Sequence, residues 1–193
     1  MNGVAQRNNL ADRIPRGTGG FLHPERIVER FGLRPGMVVA DFGCGSGYFA
    51  IPTGRKVGES GKVWAIDIQK SALELVKSRA HLERLLHVEP IWADLEQPSG
   101  SHLPNGAADF VIISNILFQV EKKAEVLREA WRVLRTGGRL AILEWDQTPF
   151  PAGPPMVLRV PLRSARAFAE EAGFTLEEEF NAGDHHYGLL MKK

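Results

Sequence analysis

Cysteine occurs once in the 193 residues, at Cys44. A lone thiol forms no disulfide within the chain and no multi-cysteine metal site, and it fits a reducing compartment. An excess of one charge is also missing. Lys and Arg number 24 against 23 Asp and Glu, a formal net charge of +1. That leaves no bulk field to attract nucleic acid or an anionic lipid surface. Long apolar runs are absent too: the stretch 110–113 falls far short of the ~20 residues that a bilayer span needs. Residues 1–16 are polar, without the apolar segment of a secretory signal. These absences lead us to expect a soluble cytoplasmic chain, no membrane partner and no strong nucleic-acid signal. They leave its oligomeric state open.

What is present is ordinary for a globular protein: 44% hydrophobic and 24% charged residues, in a length that suits one core. The expected organisation is a flexible N-terminal segment over 1–20 and one domain over 21–193. After a short helix over 24–31, apolar runs and helical patterns alternate. Strands are expected at 37–41, 62–67, 87–92, 109–114 and 140–145. A helix is expected over 70–81, with Ala72, Leu75, Val76 and Arg79 stacked. A polar loop spans 96–106. The clearest helix carries Val120, Ala124, Leu127, Trp131 and Leu134 at spacings of four and three, and Gly137-Gly138 stops it. A proline-rich loop over 146–161 leads to a helix over 161–172. Strands at 174–180 and 185–191 then form a hairpin. Repeated strand–helix units imply an α/β fold with a doubly wound, Rossmann-like, seven-stranded sheet. That sheet should be mostly parallel, with an antiparallel C-terminal hairpin.

The chemistry starts at Asp41-Phe42-Gly43-Cys44-Gly45-Ser46-Gly47-Tyr48, between the first strand and a helix. Open α/β sheets bind ligands at that edge. Glycines let the backbone turn sharply and let a ligand approach closely. A dinucleotide fingerprint needs Gly-x-Gly-x-x-Gly. Here Tyr48 holds the third position, and Gly47 comes one residue early. The acid at Asp41 suits a cationic ligand better than a pyrophosphate. The plainer alternative is a tight turn with packing glycines. Asp67 ends the second strand and is placed to accept both ribose hydroxyls of an adenosyl group, or to cap the next helix. Ile68 would pack on the adenine.

These motifs resemble those of class I S-adenosylmethionine-dependent methyltransferases, in the type 11/31, ubiquinone-biosynthesis-methyltransferase-like group. The resemblance spans about residues 37–145. It implies S-adenosyl-L-methionine as cofactor, bound by Asp41, Gly43, Cys44, Gly45, Gly47, Asp67 and Ile68. Ala93 and Asp94 would hold the adenine amino group, and Ser114 and Asn115 would meet the methionine part. The turn over 134–140 resembles the family's late glycine turn, a structural feature.

Methyl transfer from a sulfonium is an in-line displacement and requires no metal. No catalytic residue is assigned. Candidates for acceptor contact are Phe118, Gln119, Glu144, Trp145, Asp146, His185, His186 and Tyr187, with Phe21 and His23 as a lid. Each also has a bland reading as core or strand end. Arg159, Arg163 and Arg166 would suit an anionic acceptor or form a solvated helix face. One cysteine argues against arsenite as acceptor, and no Asn-Pro-Pro-Tyr signature occurs. The acceptor is therefore expected to be a small molecule. The alternatives are a protein lysine, a non-catalytic S-adenosylmethionine sensor or partner subunit, and a nicotinamide or other nucleotide enzyme on the same fold.

Overall fold

Successive residues of a strand point to opposite faces, so a strand that is apolar throughout must be covered on both sides. The computed structural model, which describes residues 22–193, has this arrangement. Strands β1 (Val38–Phe42), β2 (Lys62–Asp67), β3 (Val88–Trp92), β4 (Ala108–Ser114) and β5 (Leu134–Trp145) run parallel. Strands β6 (Thr175–Gly183) and β7 (His186–Lys192) complete a seven-stranded sheet of order β3-β2-β1-β4-β5-β7-β6. β7 lies between β5 and β6 and is antiparallel to both. The expected α/β fold with a terminal hairpin is therefore present.

Helices α1 (Pro24–Arg30), α2 (Ala50–Val57) and α3 (Lys70–Leu82) cover one face. Their Ile27, Ile51 and Val76 pack with Val39, Phe110 and Ile112 of the strands. Helices α4 (Lys123–Val133) and α5 (Leu162–Glu171) cover the other. Their Leu127, Ala130 and Ala165 pack with Phe42, Val111 and Ile113. The chain leaves β1 towards β3, then returns past β1 to β4. The tips of β1 and β4 thus flank a point where strand order reverses, the place such sheets leave a crevice.

Several expected faces and bounds shift. On α3 the buried residues are Leu73, Val76 and Ala80, and Leu75 is exposed. On α4, Ala124 is exposed, while Val126, Ala130 and Val133 are buried. That helix ends at Val133 rather than at the glycine pair, because Leu134 turns extended and pairs with Ala108 at the start of β5. Lys193 Nζ takes two freed helix-end contacts, donating to the carbonyls of Trp131 at 2.6 Å and Leu134 at 2.7 Å. The segment between β3 and β4 has no helix. Buried Glu129 of α4 holds it down, accepting from the Ser101 N–H at 2.9 Å and from the Ser101 hydroxyl. Arg132 adds a two-pronged ion pair to the same carboxylate at 2.6 and 2.8 Å. The expectations for residues 1–20 and for Phe21 lie outside the described residues. No described helix is long and apolar enough to cross a membrane.

Removing a buried carboxylate that satisfies a backbone N–H, a hydroxyl and a guanidinium leaves all three short of a partner. Glu129→Ala should lower unfolding stability by about 2–4 kcal/mol, read by urea denaturation. A variant as stable as the parent would show that the segment between β3 and β4 is held by other contacts.

Candidate functional site

At the crevice the tips of β1 to β4 and their loops enclose a cavity of about 530 Å³. Of the residues expected to bind a cofactor, Asp41, Gly43, Cys44, Gly45, Asp67, Ile68, Ala93, Asp94, Ser114 and Asn115 line it. Gly47 does not. Its φ is +86°, and a Cβ there would lie 3.2 Å from Ile51 and 3.3 Å from Val76. Gly47 lets α2 and α3 close behind the loop. Gly43, at φ +72°, serves a different contact: a Cβ on it would sit 2.1 Å from Ile116 Cγ2. The loop after β4 therefore rests directly on the glycine turn.

Four carboxylates face the cavity, those of Asp41, Asp67, Asp94 and Glu96, and no Lys, Arg or His is among the described lining residues. Asp41 is fully buried, and its Oδ2 has no hydrogen-bond partner. Burial, reinforced by the neighbouring Asp67 carboxylate, pushes its pKa up to about 7, although the Ala50 N–H at the head of α2 opposes the shift. Asp67 is better satisfied, accepting from the Gly45 N–H at 2.9 Å and the Gln69 N–H at 2.8 Å. Each oxygen keeps a further lone pair. The capping alternative is thus compatible with ligand contact. The same burial and acids push the Cys44 thiol up, so it stays protonated and unreactive.

The remaining walls are tied loop to loop. Asp94 accepts from the Glu96 N–H at 3.0 Å. Glu96 in turn accepts from the N–H groups of Glu121 and Lys122, at 2.8 and 2.6 Å, just before α4. The Trp92 indole N–H reaches the Ile68 carbonyl at 2.9 Å and fixes exposed Ile68 at the rim. Asn115 has a left-handed φ of +56°, and its buried Oδ1 has no partner. Such a backbone in a non-glycine residue is held by its surroundings and is common at functional sites. Gln119 Nε2 donates to the Asn115 carbonyl at 2.6 Å. Ser46, Tyr48, Phe49, Gln69, Leu95, Glu96, Ile116 and Val120 also line the cavity without having been singled out as cofactor contacts. Most follow a motif residue by one or two positions, and that adjacency was the available signal.

Of the acceptor candidates, Gln119 lines the cavity and Phe118 does not. Glu144 is buried behind it, and Asp146 accepts from the Thr148 N–H at 2.8 Å within its own loop. The Trp145 ring lies tilted against His186 with centroids 4.2 Å apart, and Phe150 stacks on His185 at 4.1 Å. Burial pushes His186 down to about 4, which keeps it neutral. The Tyr187 hydroxyl donates to the Val160 carbonyl at 2.8 Å. Arg159 is buried and spends its donors on loop carbonyls, among them Thr148 at 2.7 Å and Asp146 at 3.0 Å. It staples the proline-rich loop and offers no anion site. Arg166 pairs with Glu170 and Glu179 on the surface, the solvated-face alternative. Arg163 and His23 are exposed.

A family model described as a methyltransferase domain matches residues 33–171. The Ubiquinone/menaquinone biosynthesis C-methyltransferase UbiE of Laribacter hongkongensis is 34% identical over 140 residues, covering 70% of this chain and 55% of that protein. Its namesake from Haemophilus ducreyi is 38% identical over 132 residues, covering 65% and 49%. The chain thus spans about half the length of these curated relatives. A solved structure of a SAM dependent methyltransferase from Aquifex aeolicus superposes with a TM-score of 0.81 at 26% identity, covering 89% of both chains.

The buried acid gives the site a pH signature. Asp41 is raised from 3.8 to about 7, so between those values the folded chain holds a proton that the unfolded chain releases. Stability from this group therefore falls as pH rises through that window. Asp41→Asn, which mimics the protonated form, should match the parent near pH 4. It should exceed the parent at pH 8 by up to about 4 kcal/mol, measured by urea denaturation. Parallel curves for the two proteins across that range would show that Asp41 ionises freely in the fold.

Proposed function

The chain belongs to the class I S-adenosylmethionine-dependent methyltransferase family, and from that premise we propose that it transfers the methyl group of S-adenosylmethionine to a small-molecule acceptor by in-line displacement. The observation that carries this reading is the buried, unpartnered Asp41 oxygen in a cavity where the described residues contribute four carboxylates and no cationic side chain. A buried carboxylate without a partner is costly, and a bound cation removes the cost. A pyrophosphate would meet only repulsion there. S-adenosylmethionine carries an ammonium and a sulfonium and no phosphate.

The chain's own groups divide the work. Asp41 Oδ2 and Asn115 Oδ1, both buried without partners, would receive the ammonium. Asp67, with lone pairs to spare, would accept the ribose hydroxyls. Asp94 would accept from the adenine amino group, with Ile68 at the rim and buried Leu95 against the ring faces. Gly45, where a Cβ would meet nothing within 4 Å, leaves the floor open to the ligand. The donor supplies a methyl group already activated by the adjoining positive charge. The protein's task is to align donor and acceptor and to keep water out. The proton acceptors lining the cavity are carboxylates, which favours an acceptor that needs no strong base. The printed names of the relatives, C-methyltransferases of ubiquinone and menaquinone biosynthesis, support a small molecule over a protein lysine.

Calorimetric titration with S-adenosylmethionine tests the reading. Saturable binding is expected, weakened about 10- to 100-fold in Asp67→Ala by loss of a charged hydrogen-bond partner. Because the cation selects ionised Asp41, affinity should fall by up to tenfold per pH unit below about 7. A folded protein that binds NAD or ATP and not S-adenosylmethionine would overturn the reading.

A further inference from the structure

Among the described residues, Glu144 at the end of β5 is the buried carboxylate that neither lines the cavity nor meets a basic side chain. We propose that Glu144 is a positioning residue for the methyl donor: from behind the cavity it anchors the backbone of residues 116–118 and so presses the 115–120 wall against the glycine loop. The proposal rests on the methyltransferase reading of the cavity.

The geometry runs outward from the carboxylate. Glu144 Oε1 accepts from the Leu117 N–H at 2.7 Å. The N–H groups of Trp145, Phe118 and Ile116 also bear on the carboxyl, opposing the burial that pushes its pKa up to about 8. Successive backbone N–H groups thus converge on one carboxyl from inside the protein. The other side of that turn is cavity wall, through Asn115, Ile116, Gln119 and Val120. Ile116 Cγ2 fills the space that Gly43 leaves without a Cβ. Asn115 is held at φ +56° between two hydrogen bonds, its N–H to the Leu143 carbonyl at 2.8 Å and its carbonyl from Gln119. Leu143 immediately precedes Glu144, so one two-residue stretch of β5 grips the wall at Asn115 and again at Leu117. A turn that slipped would carry Ile116 off the glycine loop and Asn115 out of the cavity wall. The carboxyl is also expensive where it stands. Its Oε2 is buried without a partner, and an apolar side chain of that volume would cost less.

Reach, rather than charge, is the property the proposal requires, and two conservative variants separate them. Glu144→Gln keeps the side-chain length and an accepting oxygen. Glu144→Asp keeps the carboxyl group but withdraws its oxygens by about 1.5 Å, one carbon–carbon bond. S-adenosylmethionine affinity is read by calorimetry, and amide hydrogen exchange at Leu117 is read without ligand. The expected order is Glu144→Gln within about threefold of the parent and Glu144→Asp weaker by about tenfold or more, with Leu117 exchange accelerated in the Asp variant alone. A purely structural role would lower the melting temperature of both variants and leave the affinity of the folded protein unchanged. Parent-like affinity in Glu144→Asp, or equal losses in both, would overturn the proposal. Loss of binding in the parent itself would instead overturn the methyltransferase reading, and Leu117 exchange would still decide whether Glu144 anchors the turn.

Discussion

Asp41 and Asp67 close adjacent parallel strands, and parallel strands end at the same edge, so the two acids cannot be separated without abandoning the register of β1 and β2. The chain answers with unequal relief. Asp67 receives the N–H groups of Gly45 and Gln69, whereas Asp41 is left with the Ala50 N–H at the head of α2 and a buried oxygen that nothing meets. The glycine turn is the device that makes this possible. Backbone N–H groups can reach a carboxylate at the next strand's tip only if the loop passes close to it in left-handed conformations, and Gly43, Gly45 and Gly47 all have positive φ. The residual imbalance is a concentration of acidic groups at the crevice. Its natural complement is a cation, and that one requirement fixes the class of ligand more tightly than the fold does.

Around that charge, the walls are held by loops gripping one another. Trp92 joins the β3 tip to Ile68 after β2, Glu96 joins the loop after β3 to the approach of α4, and Ile116 joins the loop after β4 to Gly43. None of these contacts belongs to the sheet ladder or to a helix. Alignment for a displacement reaction tolerates little error in position. A site built on strand tips needs such cross-links, because the strands fix where each loop begins and not where it goes.

The same distinction explains what was legible in the sequence. The positions of β1, β2 and β4 were read within a residue or two because these strands are apolar on both faces, a pattern set by burial alone, whereas β5 starts six residues before its expected bound. Most of the cavity-lining strand tips were equally legible, since a glycine turn and an acid near each strand end mark them in the sequence. Helix faces were less so. Leu75 and Ala124 fit an apolar stripe on paper, yet they lie one position from the true interface, because exposed apolar residues are common and a stripe is wide. The end of α4 was misplaced for a tertiary reason: Leu134 pairs with Ala108 in the sheet and leaves the helix before the glycines are reached. Gly47 shares the motif's spacing, but its missing side chain serves packing by Ile51 and Val76 rather than ligand approach.

On the acceptor side, residue type was a poor guide, and the physical reason is burial. Glu144, His186 and Arg159 carry the chemistry of a base or an anion clamp. In the fold each is enclosed, the first among backbone N–H groups, the second against Trp145, the third among loop carbonyls. Arg159 is thereby committed to holding its loop, since any ligand that claimed it would first have to replace those bonds. Asp41 and Asn115 differ in that their unspent oxygens belong to residues lining the cavity, whereas Glu144 and His186 do not line it. Unspent hydrogen-bonding capacity facing a cavity is therefore a better mark of a binding residue than charge or residue type. By that mark Asp41 and Asn115 stand out among the lining residues, and the wall that carries Asn115 is backed by the bond from Leu117 to Glu144.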